Sequence, residues 1–234
     1  MPTRDAARYA MHGLALSRLD HRHPPPDNGC MSEDARQFAP AAARNRDPIW
    51  SVLQPELPEM GLVLEVASGS GEHALHFAQR SGSGLVFQPS DPDRQARASI
   101  DAWTAAAGLA NIRPALALDA TAETWPIENA DAVLCFNMIH IAPWEAAVGL
   151  VRGAGHVLSR GGLLFLYGPF KRDGNHTAAS NAAFDRDFLR ARNPAWGVRD
   201  LEAVAALAAA EGFGAPGIVE MPANNLSLLF RRLT

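Results

Sequence analysis

The feature that most constrains this chain is an apolar run that leads directly into a glycine-rich turn and an amphipathic segment. The run Val63–Val66 contains one acid, Glu65, and the turn places Gly69 and Gly71 two positions apart before helical spacing begins at Ala74. Glycine permits backbone angles that other residues avoid and lets a ligand approach the main chain. A helix after such a turn offers free N–H groups and a positive dipole end. We therefore predict a buried strand, a tight turn and a helix that together bind a nucleotide-type cofactor.

Composition limits the classes of protein to which the chain can belong. Its 234 residues, 47% of them hydrophobic, suit one α/β domain with a sizeable core. The net charge of −4 provides no global basic field that would attract nucleic acid. No apolar run reaches the roughly 18 residues that a membrane helix needs, and two cysteines do not make a disulfide framework. We expect a cytoplasmic protein that does not bind membranes and is unsuited to nucleic acid.

The first 30 residues differ in character from the rest of the chain. They include the proline-rich stretch His21–Pro26, which should be extended and has no need to pack. They lack the continuous apolar segment of a secretory signal. We predict a disordered extension over residues 1–30 and a single domain over residues 31–234, with Met31 as the natural start.

Predicted strands alternate with predicted helices along most of the chain, which indicates a doubly wound α/β sheet. Only Pro222–Asn225 separates the last two strands, so they should form a hairpin with an antiparallel final strand. We predict a Rossmann-like, doubly wound, seven-stranded sheet with its last strand antiparallel, which is the class I methyltransferase fold. The predicted strands cover residues 62–67, 85–88, 113–118, 131–137, 163–167, 215–221 and 226–232.

Two cofactor classes fit the glycine turn. Gly69–Ala74 matches the G-x-G-x-x-A pattern of dinucleotide sites, and Asp91 follows Gly71 by 20 residues, where an acid can bind the ribose of either cofactor. Three features favour S-adenosylmethionine over NAD: Glu65 in the strand before the turn, Asp119 at the end of the third strand, and the terminal hairpin. The sequence therefore predicts an S-adenosylmethionine site, with S-adenosylhomocysteine as the product.

Several sequence blocks resemble one known family. They are Arg44–Ile49, Leu64–Gly71, Gln88–Asp91, Tyr167–Pro169, Arg192–Gly197 and Met221–Asn225. From about residue 36 to its C-terminus, the chain is similar to the uncharacterised methyltransferase-like protein 26 family. The resemblance implies the class I methyltransferase fold and an S-adenosylmethionine site. It also supports an extension over residues 1–30, and it implies no particular substrate.

Ligands of doubly wound sheets lie at the carboxyl ends of the strands, which assigns roles to the residues there. The residues expected around the methionine portion and the ribose are Glu65, Ala67, Ser68, Gly69 and Gly71. A simple strand–helix turn with no ligand is the alternative.

Later strand ends complete the predicted cofactor site. Asp91 should bind the ribose hydroxyls, although an acid before Pro92 also suits a helix cap. Asp119 should approach the adenine with Ala120 beside it, or else be a surface turn acid. Asn137 should hold the amino end of the cofactor through a backbone or side-chain bond.

His140, just beyond the fourth strand, is the candidate general base, because the ordinary pKa of histidine suits proton removal near neutral pH. A structural histidine packed beside Trp144 is the alternative, and many methyl transfers need no base. Asn137 is not followed by the Pro-Pro-aromatic turn of DNA amino-methylases, which weakens that substrate class. His73 and His76 have helical spacing but no evident third ligand, so no metal site is predicted.

Residues outside the glycine turn are candidates to bind the methyl acceptor. They are Arg44, Asn45, Tyr167, Asn181 and Asn224. Arg44 and Asn45 could form a lid before a helix, or be solvated surface. Asn181 belongs to a polar insert, Gly168–Asn193, that either covers the site or forms a solvated loop with a helix. Tyr167 and the pair Asn224–Asn225 could line the same pocket, or the pair could only shape a hairpin turn.

The leading hypothesis for function is an S-adenosylmethionine-dependent methyltransferase that acts on a small-molecule acceptor at O, N or S. The alternative is a non-catalytic S-adenosylmethionine-binding regulator or scaffold. An NAD-linked oxidoreductase is a third hypothesis, and it gives Asp119 no role as an adenine acceptor. No pattern in the sequence indicates the oligomeric state or the identity of the acceptor.

Overall fold

The computed structural model describes residues 34–234, so the extension predicted over residues 1–30 lies outside the described residues. The helices are α1 (Pro40–Leu53), α2 (Glu72–Arg80), α3 (Arg94–Ala107), α4 (Trp144–Val157), α5 (Ala179–Phe184) and α6 (Leu201–Ala210). The strands are β1 (Gly61–Val66), β2 (Leu85–Ser90), β3 (Ala130–Phe136), β4 (Leu158–Gly168), β5 (Phe170–Arg172), β6 (Asn175–His176), β7 (Arg199–Asp200), β8 (Gly217–Met221) and β9 (Asn225–Arg231).

Six strands form the main sheet in the order β2-β1-β3-β4-β9-β8. Strands β2, β1, β3 and β4 pair in parallel, whereas β9 is antiparallel to both of its neighbours. Strands β8 and β9 form the hairpin that their short connection predicts. The doubly wound α/β fold with an antiparallel last strand is therefore confirmed.

The predicted count of seven strands is wrong, because the segment 113–118 is not a strand. It runs beside β2 and makes isolated bridges to that strand at Ile112 and Leu116, on either side of Pro114. Proline has no backbone N–H, so it interrupts the ladder that a continuous strand would need. The Pro114 carbonyl accepts instead from the Gln88 side chain at 2.7 Å. An irregular segment thus covers this edge of the main sheet.

The polar insert after β4 builds a second, smaller sheet. Strands β6, β5 and β7 pair in that order. Helix α5 and a π-helical turn over Asp185–Arg190 provide the helix that the sequence predicts within this insert. Asp200 caps the start of α6, because its side chain accepts a hydrogen bond from the Ala203 N–H.

Side chains of the central strand β3 alternate between two apolar layers. Ala132, Leu134 and Phe136 pack with α1 and α2 on one face of the sheet. Val133 and Cys135 pack with α4 and α6 on the other face. A strand buried on both faces has little freedom to slip, so this packing positions the turns at its carboxyl end. No helix in residues 34–234 is long and apolar enough to cross a membrane.

Candidate cofactor and acceptor site

The turn after β1 has the left-handed backbone for which its glycines are suited. Gly69 has a φ of 57° and Gly71 a φ of 90°, and Ala67 adopts the same region at 58° despite its side chain. An added Cβ at Gly71 would lie 2.9 Å from the backbone of Ile100, so this glycine permits the close approach of α2 and α3. A Cβ at Gly69 would meet no atom within 4 Å. Gly69 therefore borders open space that a ligand can occupy.

Asp91 connects the end of β2 to the glycine turn. Its Oδ2 accepts a hydrogen bond from the Gly69 N–H at 3.0 Å, and its Oδ1 accepts one from the Asp93 N–H at 2.9 Å. Burial raises the pKa of Asp91, and these two bonds oppose the rise. The cap of α3 is Asp93, which accepts from the Gln95 N–H at 3.0 Å. Asp91 keeps unused acceptor positions, because an ionised carboxylate offers about four.

Glu65, two residues before the turn, has an unsatisfied carboxyl group. It is 1% exposed, and neither carboxyl oxygen has a hydrogen-bond partner among the described residues. Burial raises the pKa of Glu65 to about 8; the nearby Ser68 hydroxyl opposes this rise, and the charge of Asp91 adds to it. The hydroxyls of Ser68 and Ser90 donate to the main-chain carbonyl of Glu65, at 3.2 and 2.8 Å. A buried acid without a partner points to a missing cationic or hydrogen-bonding group.

Asp119 and Ala120, the residues predicted to approach the adenine, are less closely connected to the glycine turn than Asp91 is. Asp119 is exposed, and its Oδ1 accepts from both the N–H and the hydroxyl of Thr121 at 2.8 Å. Ala120 is buried against α4, where a Cβ added at Gly149 would meet the Ala120 carbonyl. Asp119 thus has the surface-turn geometry offered as its alternative, and its Oδ2 makes no hydrogen bond to the described residues.

Asn137 brings the ends of β3 and β4 together. It has a left-handed φ of 61°, a conformation that asparagine tolerates. Its N–H donates to the Tyr167 carbonyl at 2.8 Å. The bond places Asn137 at the carboxyl edge of the sheet, where the sequence predicts the cofactor.

His140 is a packed interior residue. It is 1% exposed, and its ring meets Phe170 edge-on with 4.9 Å between ring centroids. Its Nδ1 accepts from the Arg199 N–H at 3.2 Å, which assigns the ring proton to Nε2. Burial lowers the pKa of His140 to about 3, and the charge of Arg199 adds to the effect. A neutral ring whose acceptor nitrogen is occupied is poorly suited to remove a proton, so the general-base role stays a prediction.

The prediction that Arg44 and Asn45 precede a helix is wrong, because both lie within α1, from which they act on Tyr167. Asn45 Oδ1 is 2.8 Å from His73 Nε2. Burial raises the pKa of Tyr167, while hydrogen bonding by Asn45 and Asn225 and the charge of Arg44 oppose that rise. The Asn225 amide donates to the Tyr167 hydroxyl at 3.1 Å. We call these five residues the Tyr167 cluster; they come from α1, α2, β4 and β9.

Asn181 and Asn224 form a separate connection. The Asn181 amide donates to the Asn224 carbonyl at 2.8 Å, and the Asn224 amide donates to the Ser180 hydroxyl at 3.1 Å. Asn224 also has a left-handed φ of 59°. These bonds fasten α5 of the insert to the β8–β9 turn beside Asn225, so Asn224 shapes the turn and the insert borders the Tyr167 cluster.

One member of the Tyr167 cluster, His73, was outside the predicted site, whereas Asn225 belongs to the Asn224–Asn225 pair expected to line the pocket with Tyr167. Tyr167 pairs with Ser227 across β4 and β9, and Asn225 is two residues before Ser227. This register brings Asn225 beside Tyr167. His73 follows the glycine turn, and its ring packs at a tilt against Phe136 with 4.7 Å between ring centroids. The only signal for His73 in the sequence was its helical spacing from His76.

The insert contains a further charged group that its sequence gives no means of finding. Asp185 is 4% exposed, and its Oδ1 accepts from the Val198 N–H at 2.9 Å. Lys171 Nζ, His176 Nε2 and Arg190 Nε lie 3.5, 3.3 and 3.2 Å from its carboxylate oxygens. Burial would raise the pKa of Asp185, but the backbone bond and the neighbouring cations lower it overall. All its oxygens are engaged, which indicates a structural role in the insert.

Two surface cavities lie away from the carboxyl edge. One of about 330 Å³ is at the opposite edge of the sheet, bordered by Asp131, Arg160 and Arg231. Another of about 440 Å³ lies beside α4 and is bordered by Trp125 and His156. We locate the candidate site from the geometry of the turn and its unsatisfied acid, since neither cavity contains a residue predicted to bind cofactor.

The sheet order, the antiparallel last strand and the glycine turn define the class I methyltransferase fold. Solved structures with this fold resemble the chain. They include the S-adenosylmethionine-dependent methyltransferase SibL in its apo form, with a TM-score of 0.68, 21% identity and coverage of 83% of this chain and 56% of that one. An O-methyltransferase family protein from Burkholderia thailandensis has a TM-score of 0.68, 18% identity, and coverage of 83% and 58%. Human N-acetylserotonin methyltransferase in complex with S-adenosylmethionine has a TM-score of 0.65, 15% identity, and coverage of 83% and 53%.

A protein-family model matches most of this chain. The chain belongs to the family described as "Protein of unknown function (DUF938)", whose model matches residues 36–232. It spans a little over half the length of the three solved methyltransferases. At identities of 15–21%, the similarity to these structures establishes only the fold of this chain.

Proposed function

We propose that this protein is an S-adenosylmethionine-dependent methyltransferase with a small-molecule acceptor. The observation that carries the proposal is the pairing of an open glycine turn with the partnerless acid Glu65 at the carboxyl edge of a class I methyltransferase sheet. Ligands of doubly wound sheets bind at this edge. We also propose, as a finer assignment, that the chain is related to the methyltransferase-like protein 26 family that its sequence blocks resemble.

The residues present fit S-adenosylmethionine chemically. The cofactor carries an ammonium and a sulfonium, and a buried carboxyl without a partner is suited to a cation. In this proposal Glu65 and the turn residues Ala67, Ser68, Gly69 and Gly71 hold the methionine portion and the ribose.

The proposed adenosyl contacts follow the neighbouring strand ends. Asp91 has acceptor positions left for the ribose hydroxyls, and Asp119 has a free oxygen for the adenine amino group, with Ala120 beside it. Asn137 holds the amino end of the cofactor. The site fits NAD less well, because NAD has no ammonium group that could pair with the buried carboxyl of Glu65.

Bound S-adenosylmethionine supplies an electrophilic methyl group, so the chain itself must place the acceptor in line and exclude water. The Tyr167 cluster is suited to orient an acceptor. The hydrogen bond between Asn181 and Asn224 holds the insert beside this cluster. His140 is not used as a base in this mechanism, because a pKa of about 3 makes the ring a weak base and its unprotonated nitrogen already accepts from the Arg199 N–H. A small acceptor is favoured by the net charge of −4, which gives nucleic acid no attraction.

Methyl transfer can be tested before the acceptor is known. The full chain is incubated with methyl-labelled S-adenosylmethionine and a cell extract divided into small-molecule and macromolecular fractions. We expect label in the small-molecule fraction, with loss of transfer in Asp91→Ala. Asp101→Ala is the matched control, because its carboxylate also accepts a backbone N–H, from Ala115 at 2.8 Å, but away from the site.

Three other results of this experiment would each contradict part of the proposal. Label in protein or nucleic acid would overturn the small-molecule acceptor. Binding of S-adenosylmethionine without transfer to either fraction would favour the regulator or scaffold. Failure to bind it would overturn the cofactor assignment.

A further inference from the structure

The Tyr167 hydroxyl has a defined hydrogen-bond orientation. The Asn225 amide nitrogen donates to this hydroxyl at 3.1 Å and also to the Pro222 carbonyl at 3.1 Å. A carbonyl can only accept, so the group of Asn225 that faces Tyr167 is the NH2. The phenolic oxygen of Tyr167 therefore accepts this bond, and its own proton is directed elsewhere.

Asn45 supports the same orientation from the other side. Burial lowers the pKa of His73 to about 3, so its ring is neutral at physiological pH. His73 Nε2 lies 2.8 Å from Asn45 Oδ1, and because an amide oxygen can only accept, Nε2 carries the proton. The Asn45 NH2 is then left to act as the donor beside the Tyr167 hydroxyl.

The phenolic proton of Tyr167 consequently has no acceptor within residues 34–234. In the described residues the hydroxyl accepts a hydrogen bond from the Asn225 amide and donates none. Tyr167 is 4% exposed, so bulk water has little access to it. A buried donor without an acceptor is unfavourable, and such a group at a candidate site is expected to meet its partner on the ligand.

The charge beside Tyr167 is positive. Arg44 is exposed, acts electrostatically on Tyr167, and forms no ion pair with the residues that the structure describes. The other titratable neighbour, His73, is neutral. An acceptor oxygen that meets the Tyr167 proton is therefore stabilised further if it carries negative charge.

We propose that the Tyr167 hydroxyl donates a hydrogen bond to an anionic oxygen of the methyl acceptor, a carboxylate or a phenolate, with Arg44 as its counter-charge. The inference rests on the proposed function and specifies its substrate class. Asn45 and Asn225 then act as positioning residues, since they hold the oxygen of Tyr167 so that its proton faces the ligand.

Titration of Tyr167 provides the test, because the chain has only one other tyrosine, Tyr9. Tyrosinate absorbance is followed against pH in the full chain loaded with S-adenosylhomocysteine, and Tyr167→Phe is subtracted as the blank. The probes are benzoate and acetate, with benzamide and acetamide as neutral counterparts. We expect the carboxylates to raise the pKa of Tyr167 by about one unit, because a bound anion opposes a second negative charge. The amides should leave it unchanged.

Variants separate this proposal from general ionic effects. Arg44→Ala should abolish the carboxylate effect, whereas Arg160→Ala, an exposed arginine at the opposite edge of the sheet, should retain it. Absence of a shift with both carboxylates, equal shifts with the amides, or an undiminished effect in Arg44→Ala would overturn the proposal. Calorimetry on the same samples shows whether S-adenosylhomocysteine binds; failure there counts against the cofactor site instead.

Discussion

At the scale of single residues, Glu65 is the group on which the cofactor proposal most depends. Its carboxyl is buried without a partner, and its pKa is raised to about 8 because ionisation is unfavourable there. A bound cation reverses that preference, since it stabilises the carboxylate. Ligand binding and proton release should therefore be linked at this residue.

Glu65→Gln tests this linkage, because it keeps the shape and removes the titration. Wild-type affinity for S-adenosylmethionine should rise between about pH 6 and pH 8, as the carboxyl loses its proton more readily. The variant should bind at least about tenfold more weakly at pH 8 and lack that rise, as loss of a charged hydrogen bond implies. Calorimetric titration over this range measures both, and the variant's own curve subtracts the titration of the ligand.

Glu56→Gln is the control for this experiment. Glu56 bonds to Arg231 at 2.6 Å at the opposite edge of the sheet, so its substitution should leave the pH dependence intact. A wild-type affinity that is flat over the range would contradict the role of Glu65, as would a Gln variant that behaves like wild type.

At the scale of elements, the contact between the end of β4 and the turn after β3 is the tightest at the site. A Cβ added at Gly168 would lie 2.5 Å from His140 Nε2 and 3.4 Å from Asn137 Oδ1. The His140 ring is fixed by its bond to the Arg199 N–H and by Phe170, so it has little room to move. Gly168 is thus the position at which β4 admits the buried histidine.

Gly168→Ala should destabilise the protein by about 1–3 kcal/mol, as overpacking does in a buried site. Chemical denaturation measures this loss. Gly82→Ala is the matched control, because a Cβ there meets no atom within 4 Å and should change stability by less than about 1 kcal/mol.

The double variant Gly168→Ala/His140→Ala shows whether the clash with the His140 ring causes the loss of stability. Removal of the ring makes room, so Gly168→Ala should cost less in that background than in the wild type. Equal costs in both backgrounds would show that another contact is responsible.

The elements also show how far the sequence could predict this fold. The alternation of strands and helices, the glycine turn at Gly69 and the terminal hairpin follow from local patterns, and the structure confirms them. The third strand was predicted wrongly because an apolar run outweighed Pro114, which cannot donate to a ladder. Tyr167 and Asn225 were expected to line one pocket, but the direct hydrogen bond between them, like the burial of His140 under β4, depends on register and tertiary packing, which local patterns do not encode.

At the scale of the whole molecule, three buried groups whose pKa values are strongly shifted and lie between pH 3 and pH 8 should govern stability over that range. Glu65 rises from 4.5 to about 8, and His73 and His140 each fall from 6.5 to about 3. The folded state therefore retains a proton on Glu65 that the unfolded state loses above pH 4.5. It also excludes two protons that the unfolded histidines bind below pH 6.5.

The sign of the pH dependence follows from this difference in bound protons. Between pH 4.5 and 6.5 the unfolded state binds two histidine protons and lacks one at Glu65, so stability rises with pH. Of these three groups only Glu65 differs between pH 6.5 and 8, and its contribution to stability falls by about 1.4 kcal/mol per pH unit. We expect maximum stability near pH 6.5, measured by denaturant unfolding across pH. Glu65→Gln should remove the alkaline fall, and its persistence in that variant would contradict the account.

The central claim is that the carboxyl edge of the main sheet binds S-adenosylmethionine, and parallel calorimetric titrations test it most directly. The full chain is titrated with S-adenosylmethionine, S-adenosylhomocysteine and NAD, alongside Asp91→Ala and the control Asp101→Ala. We predict that both sulfur ligands bind and NAD does not, with binding lost in Asp91→Ala and kept in Asp101→Ala. Binding of NAD alone, binding of no ligand, or full retention of binding in Asp91→Ala would contradict the account.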